Sequence, residues 1–282
     1  MKILAIDTSG QQAGAAIVDE YITIGEIMIN AQSGPKTWHH SEILMPAVER
    51  LFALSGQNIE DMDYVAYTAG PGSFTGIRIG AATALGLARS IAKPAIAVPT
   101  LDSLAYNVLG MGMLVVPLMD ARRGQVYAAI YRAEHTGKFT RLTDYFAAPI
   151  EDVIKRVGEL AAGSDADFAR QCCSDVIFLG DGADAYKPEI TSGYPKAKFA
   201  PANANRQRPA SVGLCAIHQL ISANAVSCNL AAALNQSVGV SSYLDSSGNP
   251  ASIPELIYIR DPQAVRSNPH LKPKDTEPSS KP

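Results

Sequence analysis

The stretch Tyr67-Thr68-Ala69-Gly70-Pro71-Gly72-Ser73-Phe74-Thr75-Gly76-Ile77-Arg78 decides how this chain is read. An apolar run with strand character, Tyr64-Val65-Ala66-Tyr67, leads into it, and a helix-like segment from Ile77 to Ala92 leads out. The stretch is a strand-to-helix turn. Pro71 fixes one φ angle, and Gly70 and Gly72 flank it with backbone that tolerates φ > 0. Ser73 or Thr75 is placed to cap the helix. N–H groups at such a helix start suit a phosphate or a carboxylate. The same residues serve a plain tight turn with a cap equally well. No Gly-Lys-Ser/Thr follows, so this is not a Walker A loop.

The rest of the chain bounds what that turn can belong to. Its 282 residues allow two modest domains, and 47% of them are hydrophobic. A net charge of −3 argues against a nucleic-acid platform working alone. The start runs straight into a strand, Lys2-Ile3-Leu4-Ala5-Ile6, and reads without a signal peptide. No apolar run reaches the ~18 residues of a membrane span. Cys172, Cys173, Cys215 and Cys228 show no Cys-x-x-Cys spacing, and the adjacent pair makes a poor disulfide, which fits a reduced cytoplasm.

Upstream of the turn, residues 2–7, 13–18 and 21–29 read as strands. Asp7-Thr8-Ser9-Gly10 turns between the first two. An Asp ending a first strand before small hydroxyl residues can face a nucleotide's metal and phosphates, and an Asx-turn needs the same residues. His39 and His40 are adjacent, whereas helical metal pairs are spaced three or four apart. Ser41 reads as an N-cap with Glu42 in the first turn.

Two helices carry more information than their neighbours. From Glu42 to Leu54, Ile43, Leu44, Ala47, Val48, Leu51 and Leu54 make one apolar face. Met45 and Phe52 widen it to roughly 200°, where a helix on one core needs about 100°. That helix is either buried between layers of its own chain or half core and half interface. In the helix after the glycine turn, Gly76, Gly80, Ala84, Ala88 and Ala92 recur every four residues. This row is a groove for another helix or a packing face for the chain's own sheet.

After the strand Ala95-Ile96-Ala97-Val98 and a helix opening at Pro99-Thr100, the pattern restarts. Met113 to Met119 is a strand ending in Asp120, as the first ended in Asp7. Gln125 to Arg132 and Phe139 to Phe146 follow as strands and Ile150 to Ala161 as a helix. Val176-Ile177-Phe178-Leu179 then runs into Gly180-Asp181-Gly182 at a strand's C-terminal end, where open α/β sheets bind ligands. The fold class is therefore α/β, with two β-β-β-α-β-α halves facing a cleft. The expected organisation is a first half over residues 1–110 carrying partner-binding helices, a second over 111–262, and a disordered Pro-rich tail over 263–282.

The glycine turn, Ile6-Asp7-Thr8-Ser9, His40-Ser41 and Asp120-Ala121-Arg122-Arg123-Gly124-Gln125-Val126-Tyr127 together resemble the TsaB family, also called YeaZ. The likeness is dense over residues 1–130 and thin through Leu179-Gly180-Asp181-Gly182 to Tyr258-Ile259-Arg260. It implies the duplicated fold of actin, hexokinase and Hsp70 (ASKHA). It also implies a part in threonylcarbamoyl modification of adenosine 37 of tRNA, as the non-catalytic partner of the related subunit TsaD. TsaE, with ATP, acts on that pair, and tRNA is met only through the complex. A homodimer stays open as an option without TsaD, and no membrane is expected, since no apolar run is long enough to span one.

On this reading Ile43, Met45, Phe52, Gly76, Gly80, Ala84 and Ala88 are interface candidates. Asp7, Thr8, Ser9, Asp120, Gly180, Asp181 and Gly182 are candidates for a vestigial nucleotide cleft. No cofactor is expected beyond a nucleotide at the partner interface. TsaD carries a His-x-x-x-His metal pair after the corresponding strand; here those positions fall on Thr100 and Leu104, which cannot replace two imidazoles. A metallopeptidase of the glycoprotease kind would need such a pair. An ATP-dependent enzyme of this fold would need a clearer phosphate hairpin than the one holding Gln11-Gln12.

Five prolines fall within the last 21 residues, and a segment without apolar periodicity has nothing to offset its ordering entropy. Deleting residues 263–282 is expected to leave the melting temperature unchanged; a clear fall on truncation refutes this.

Overall fold

A computed structural model describes residues 1–31, 38–162, 175–226 and 240–241. Strands β1 (Ile3–Asp7), β2 (Gln12–Val18) and β3 (Thr23–Asn30) form an antiparallel meander. Helix α1 (His40–Ser55) leads to β4 (Tyr64–Gly70), which pairs parallel to β1. Helix α2 (Phe74–Ser90) leads to β5 (Ala95–Pro99), parallel to β4. Helix α3 (Thr100–Tyr106) crosses to the second half.

There β6 (Met113–Asp120) pairs antiparallel with β7 (Val126–Ala128) and β8 (Tyr131–Ala133). Next come β9 (Phe139–Arg141), β10 (Phe146–Ala148), helix α4 (Ile150–Ala162) and β11 (Val176–Leu179). Short helices α5 (Asp181–Ala185) and α6 (Lys187–Gly193) lead to β12 (Ala197–Phe199). Helix α7 (Pro209–Val226) and a two-residue strand β13 (Val240–Ser241) complete the described chain.

The duplication is visible in the strand orders. The first sheet runs β13-β5-β4-β1-β2-β3, and the main path of the second runs β10-β7-β6-β11-β12. Leaving β13 aside, the second order is the first one repeated. In both sheets the central strand has antiparallel neighbours on one side and parallel ones on the other. This is the ASKHA architecture. Two strands of the second half differ from the sequence reading. The strands expected over 125–132 and 139–146 are each interrupted. At the first interruption Ile130 turns its backbone sideways, accepting from Leu142 N–H at 2.8 Å and donating to Thr143 Oγ1 at 3.0 Å.

Each half contributes a helix that packs on the other half's sheet, α3 from the first and α7 from the second; the boundary expected at residue 262 lies outside the described residues. Leu101, Leu104 and Ala105 of α3 are buried with Val115, Met119, Ile177 and Leu179 of the second sheet. Asp102 fastens that contact, accepting from Tyr131 Oη at 2.6 Å and Tyr145 Oη at 2.8 Å. Conversely, Val212, Cys215, Ala216 and Leu220 of α7 cover Ile3, Ala5, Val18 and Ile96 of the first sheet. The Glu26 carboxylate on β3 accepts from Ala210 N–H at 2.9 Å and pairs with Arg208, holding the start of α7.

The N-cap of α1 is His39 rather than Ser41, and the Glu42 carboxylate accepts the His39 backbone N–H at 2.8 Å. The cap moves upstream because Glu42 reaches back to the residue three before it, which sets the first turn. Cys215 is buried with a free thiol; Cys172, Cys173 and Cys228 lie outside the described residues, as do the last strand expected over 255–260 and the Pro-rich tail.

The row of small residues on α2 faces the chain's own sheet. Gly76, Gly80, Ala84 and Ala88 are all buried, together with Ile77 and Ala81. A Cβ on Gly76 would lie 2.1 Å from the Thr8 carbonyl oxygen, and one on Gly80 would lie 2.3 Å from Thr8 Oγ1. The expectation that this row receives a partner's helix is therefore corrected: the site is already filled by the β1–β2 turn. Ile43 of α1 is likewise buried, against Ala13 and Ala31. Gly80→Leu should destabilise the fold by about 3 kcal/mol or more, read as a large drop in melting temperature. A Gly80→Leu variant that melts like the wild type would show that the helix can lift off the turn.

Candidate functional site

Two groups of polar residues stand at the C-terminal ends of the central strands, one per half. In the first, Asp7 ends β1 beside Thr68 of β4. The parallel register sets Ile6 against Tyr67, so the next residues along, Asp7 and Thr68, are neighbours. Asp7 Oδ1 accepts from Ser9 N–H at 2.8 Å, Ser9 Oγ at 2.7 Å and Thr68 Oγ1 at 3.2 Å. Its other oxygen, Oδ2, is buried without a partner among the described residues. Asp7 is only 3% exposed, and burial raises its carboxyl from the ordinary 3.8 to about 6, against the lowering pull of those three hydrogen bonds.

The glycine turn closes over this group. Ser73 N–H donates to the Ser9 carbonyl at 2.7 Å, and a Cβ on Gly72 would lie 2.4 Å from that same oxygen. Thr8 Oγ1 donates to the Gly76 carbonyl at 2.7 Å. Ser73 caps α2, its Oγ accepting from Gly76 N–H at 3.3 Å. The Ser73 and Gly76 N–H groups, which the sequence reading offered to a phosphate or carboxylate, are thus engaged inside the chain.

In the second half, Asp181 Oδ1 accepts from Asp120 N–H at 3.2 Å and Gly182 N–H at 2.9 Å. Gly180 sits at φ 104°, where a Cβ would meet the Leu118 carbonyl at 2.0 Å, and its N–H donates to Asn205 Oδ1 at 2.8 Å. Burial raises the Asp181 carboxyl above its ordinary value. Asp120, Gly180, Asp181 and Gly182 therefore come together, and Asp7, Thr8 and Ser9 come together. Each set hydrogen-bonds within its own half.

Whether these residues fit a nucleotide is decided at Gly10. The Gln207 side chain, from the segment before α7, lies against it: a Cβ on Gly10 would be 2.9 Å from Gln207 Oε1. Gln207 is itself buried, and its Nε2 has no partner among the described residues. A polyphosphate laid along Gly10 would meet the Gln207 side chain, so the residues as arranged do not fit one there. Thr100 and Leu104 are both buried at the start of α3. Among the described residues, no group of three or more His, Cys, Asp or Glu side chains could hold a metal ion, and no helix is long and apolar enough to cross a membrane.

Gln207 and Asn205 escaped the sequence reading because Ala204-Asn205-Arg206-Gln207-Arg208 has no periodicity or motif. Thr68 could have been found, since a strand parallel to β1 brings it beside Asp7.

Away from these turns, α1 and α2 expose three large apolar side chains; Tyr21, Ile22, Ile29, Trp38, Met111 and Ile221 are exposed on other parts of the chain. Met45 is 46% exposed, Leu54 67% and Phe74 38%, and Phe52 is half-buried at the rim of the core. The N-terminal ends of the two helices meet, because a Cβ on Gly76 would lie 2.8 Å from His40 Nδ1. The Arg78 guanidinium stacks 3.9 Å over the Phe74 ring.

The raised Asp7 carboxyl gives a signed prediction. Between pH 3.8 and about 6 the folded state keeps a proton that the unfolded chain has lost. Stability therefore falls as pH rises through that window and is level above it. Asp7→Asn keeps the Oδ1 contacts and removes the buried charge. It should flatten the profile and stabilise the protein at pH 7 by on the order of 2 kcal/mol. Urea unfolding of both proteins at pH 4 and pH 7 measures this; an Asn variant less stable at pH 7 would show that the carboxylate has a partner there.

Known proteins agree with this geometry. A family model described as "TsaD: tRNA N6-adenosine threonylcarbamoyltransferase" matches residues 36–266. The chain is 33% identical over 192 residues to the tRNA threonylcarbamoyladenosine biosynthesis protein TsaB of Bacillus subtilis, covering 65% of this chain and 81% of that protein. It is 34% identical over 139 residues to TsaB of Escherichia coli, covering 49% of this chain and 58% of that protein. The solved structure of YeaZ from Pseudomonas aeruginosa superposes with a TM-score of 0.58 at 23% identity, over 78% of this chain and 93% of that one, a likeness of fold. The TsaD-described model, spanning residues 36–266, places the chain in that wider family, and the Bacillus subtilis relative, 33% identical and matched over four fifths of its own length, places it on the TsaB side: this chain belongs to the TsaB family.

Proposed function

We propose that this chain is a non-catalytic subunit in the formation of threonylcarbamoyladenosine at position 37 of tRNA. It binds a TsaD-type subunit, which performs the transfer. TsaE, with ATP, acts on the pair, and the assembly works in the cytoplasm. Family membership supports the pathway. Thr100 and Leu104 at the positions of the family's metal pair, and the Gln207 side chain lying against Gly10, favour a supporting role over a rival ATP-dependent or metallopeptidase-like activity.

The observation that carries the partner-binding role is the apolar outer side of α1 and α2. Met45, Leu54 and Phe74 are side chains whose burial in an interface is favourable. They sit on two helices whose inner faces are anchored to the first sheet, so a partner meets a rigid surface. A related subunit offers two corresponding helices, and four helices then pack about a pseudo-twofold axis. The same surface serves a homodimer when the partner is absent. The contact is made by the large outer side chains, since the small-residue row lies beneath.

Met45→Glu and Phe74→Ala should each weaken binding to the TsaD-type subunit about tenfold or more. The melting temperature should hold, because neither side chain belongs to the buried core. Titration calorimetry measures binding, and reconstituted tRNA modification should fall with it. Two variants that bind and support modification as the wild type does would remove this surface from the proposal.

A further inference from the structure

We propose that the turn joining β6 to β7 is a contact for the phosphate backbone of RNA, carried by Arg122 and Arg123. The proposal rests on the tRNA-modification reading above and places one tRNA contact on this chain rather than on its partners. A tight hairpin turn of this kind needs φ > 0 at its central residues, and Asn-Gly is the ordinary solution. Here Arg122 lies at φ 60° and Arg123 at 58°, followed by Gly124 at 73°. A side chain with a Cβ is disfavoured in that region, and arginine has no local hydrogen bond to compensate, as asparagine has. The other non-glycine residue with positive φ, Ala92, follows the end of α2, where left-handed backbone is common.

The turn is held firmly. Asp120 Oδ1 accepts Arg122 N–H at 2.7 Å, Ala121 N–H donates to the Gln125 carbonyl at 3.0 Å, and Asp181 accepts Asp120 N–H. Both arginines are exposed, and among the described residues neither makes an ion pair. Two adjacent exposed arginines on a hydrogen-bonded, strained turn, neither in an ion pair among the described residues although Asp120 binds the Arg122 backbone, match phosphate oxygens. An acidic protein surface is the weaker match, because protein interfaces surround arginine with apolar anchors. None of the exposed large apolar residues lies on this turn.

The test uses the chain in complex with the TsaD-type subunit and an unmodified tRNA transcript, read by fluorescence anisotropy across a salt series. The double variant Arg122→Asn, Arg123→Asn removes the charges and relieves the backbone, so it should melt at or above the wild-type temperature. It should bind tRNA about tenfold more weakly at low salt, and the slope of log K against log salt should shrink by about 2, one per lost phosphate contact. Arg122→Lys, Arg123→Lys should keep the slope, and affinity for the TsaD-type subunit should not change. Unchanged tRNA affinity and slope in the Asn variant would overturn the proposal alone. A loss of subunit affinity with the salt slope intact would also overturn it and assign the turn to an acidic protein partner. A wild-type complex that binds no tRNA would overturn this proposal together with the functional reading beneath it.

Discussion

Thr8 donates its hydroxyl to the carbonyl of Gly76, a residue in the first turn of α2, at 2.7 Å. That contact requires a helix to lie almost in touch with a strand-end turn, and two missing β-carbons allow it. Once α2 is seated there, Gly72 lets the loop pass close over Ser9, and Ser73 ties to it. The Asp7 carboxylate is then shut in. Its burial and its raised proton affinity follow from this closure.

The second half repeats the strand order without this closure. Gly180 plays a part there like that of the glycines over Ser9, with a backbone carbonyl where its β-carbon would be. However, Asp120 remains exposed, and the turn beyond it points two arginines into solvent. The two halves have thus diverged most at their strand-end turns: one became a packed joint and the other an exposed one. A duplicated fold can accept such change at its turns because the order of the main strands is kept.

Much of this was legible from residue order. The strands around Asp7 and Asp120, the glycine turn and the restart at Met113 carry period and punctuation strong enough to give the fold class. The orientation of α2 was not legible. A row of small residues marks close approach, but the same row serves an external helix or an internal turn. Only the third dimension shows Thr8 beneath Gly80. The apolar arc on α1 reads as wider than one core needs; Met45 stays exposed, but Leu54, expected on the core face, is exposed too, and Phe52, expected in the surplus, packs partly against the core. Ile43, placed with that excess, proved to be core, because a small satellite cluster with Ala13 and Ala31 lies beyond the main one. Gln207 was invisible for a different reason. It acts from an irregular segment, and its partner Gly10 is distant in sequence.

The exchange of helices between the halves bears on how the protein is made. One face of the first sheet, with Ile3, Ala5, Val18 and Ile96, is covered by α7, whose residues come late in the chain. During synthesis that sheet precedes α7 and stays uncovered on this side until the residues between them have been made. Its α1 and α2 face can close early, whereas the opposite face waits through synthesis of the whole second half. The protein is therefore duplicated in architecture but not divisible in assembly, and neither sheet has its full cover until the other half has been translated.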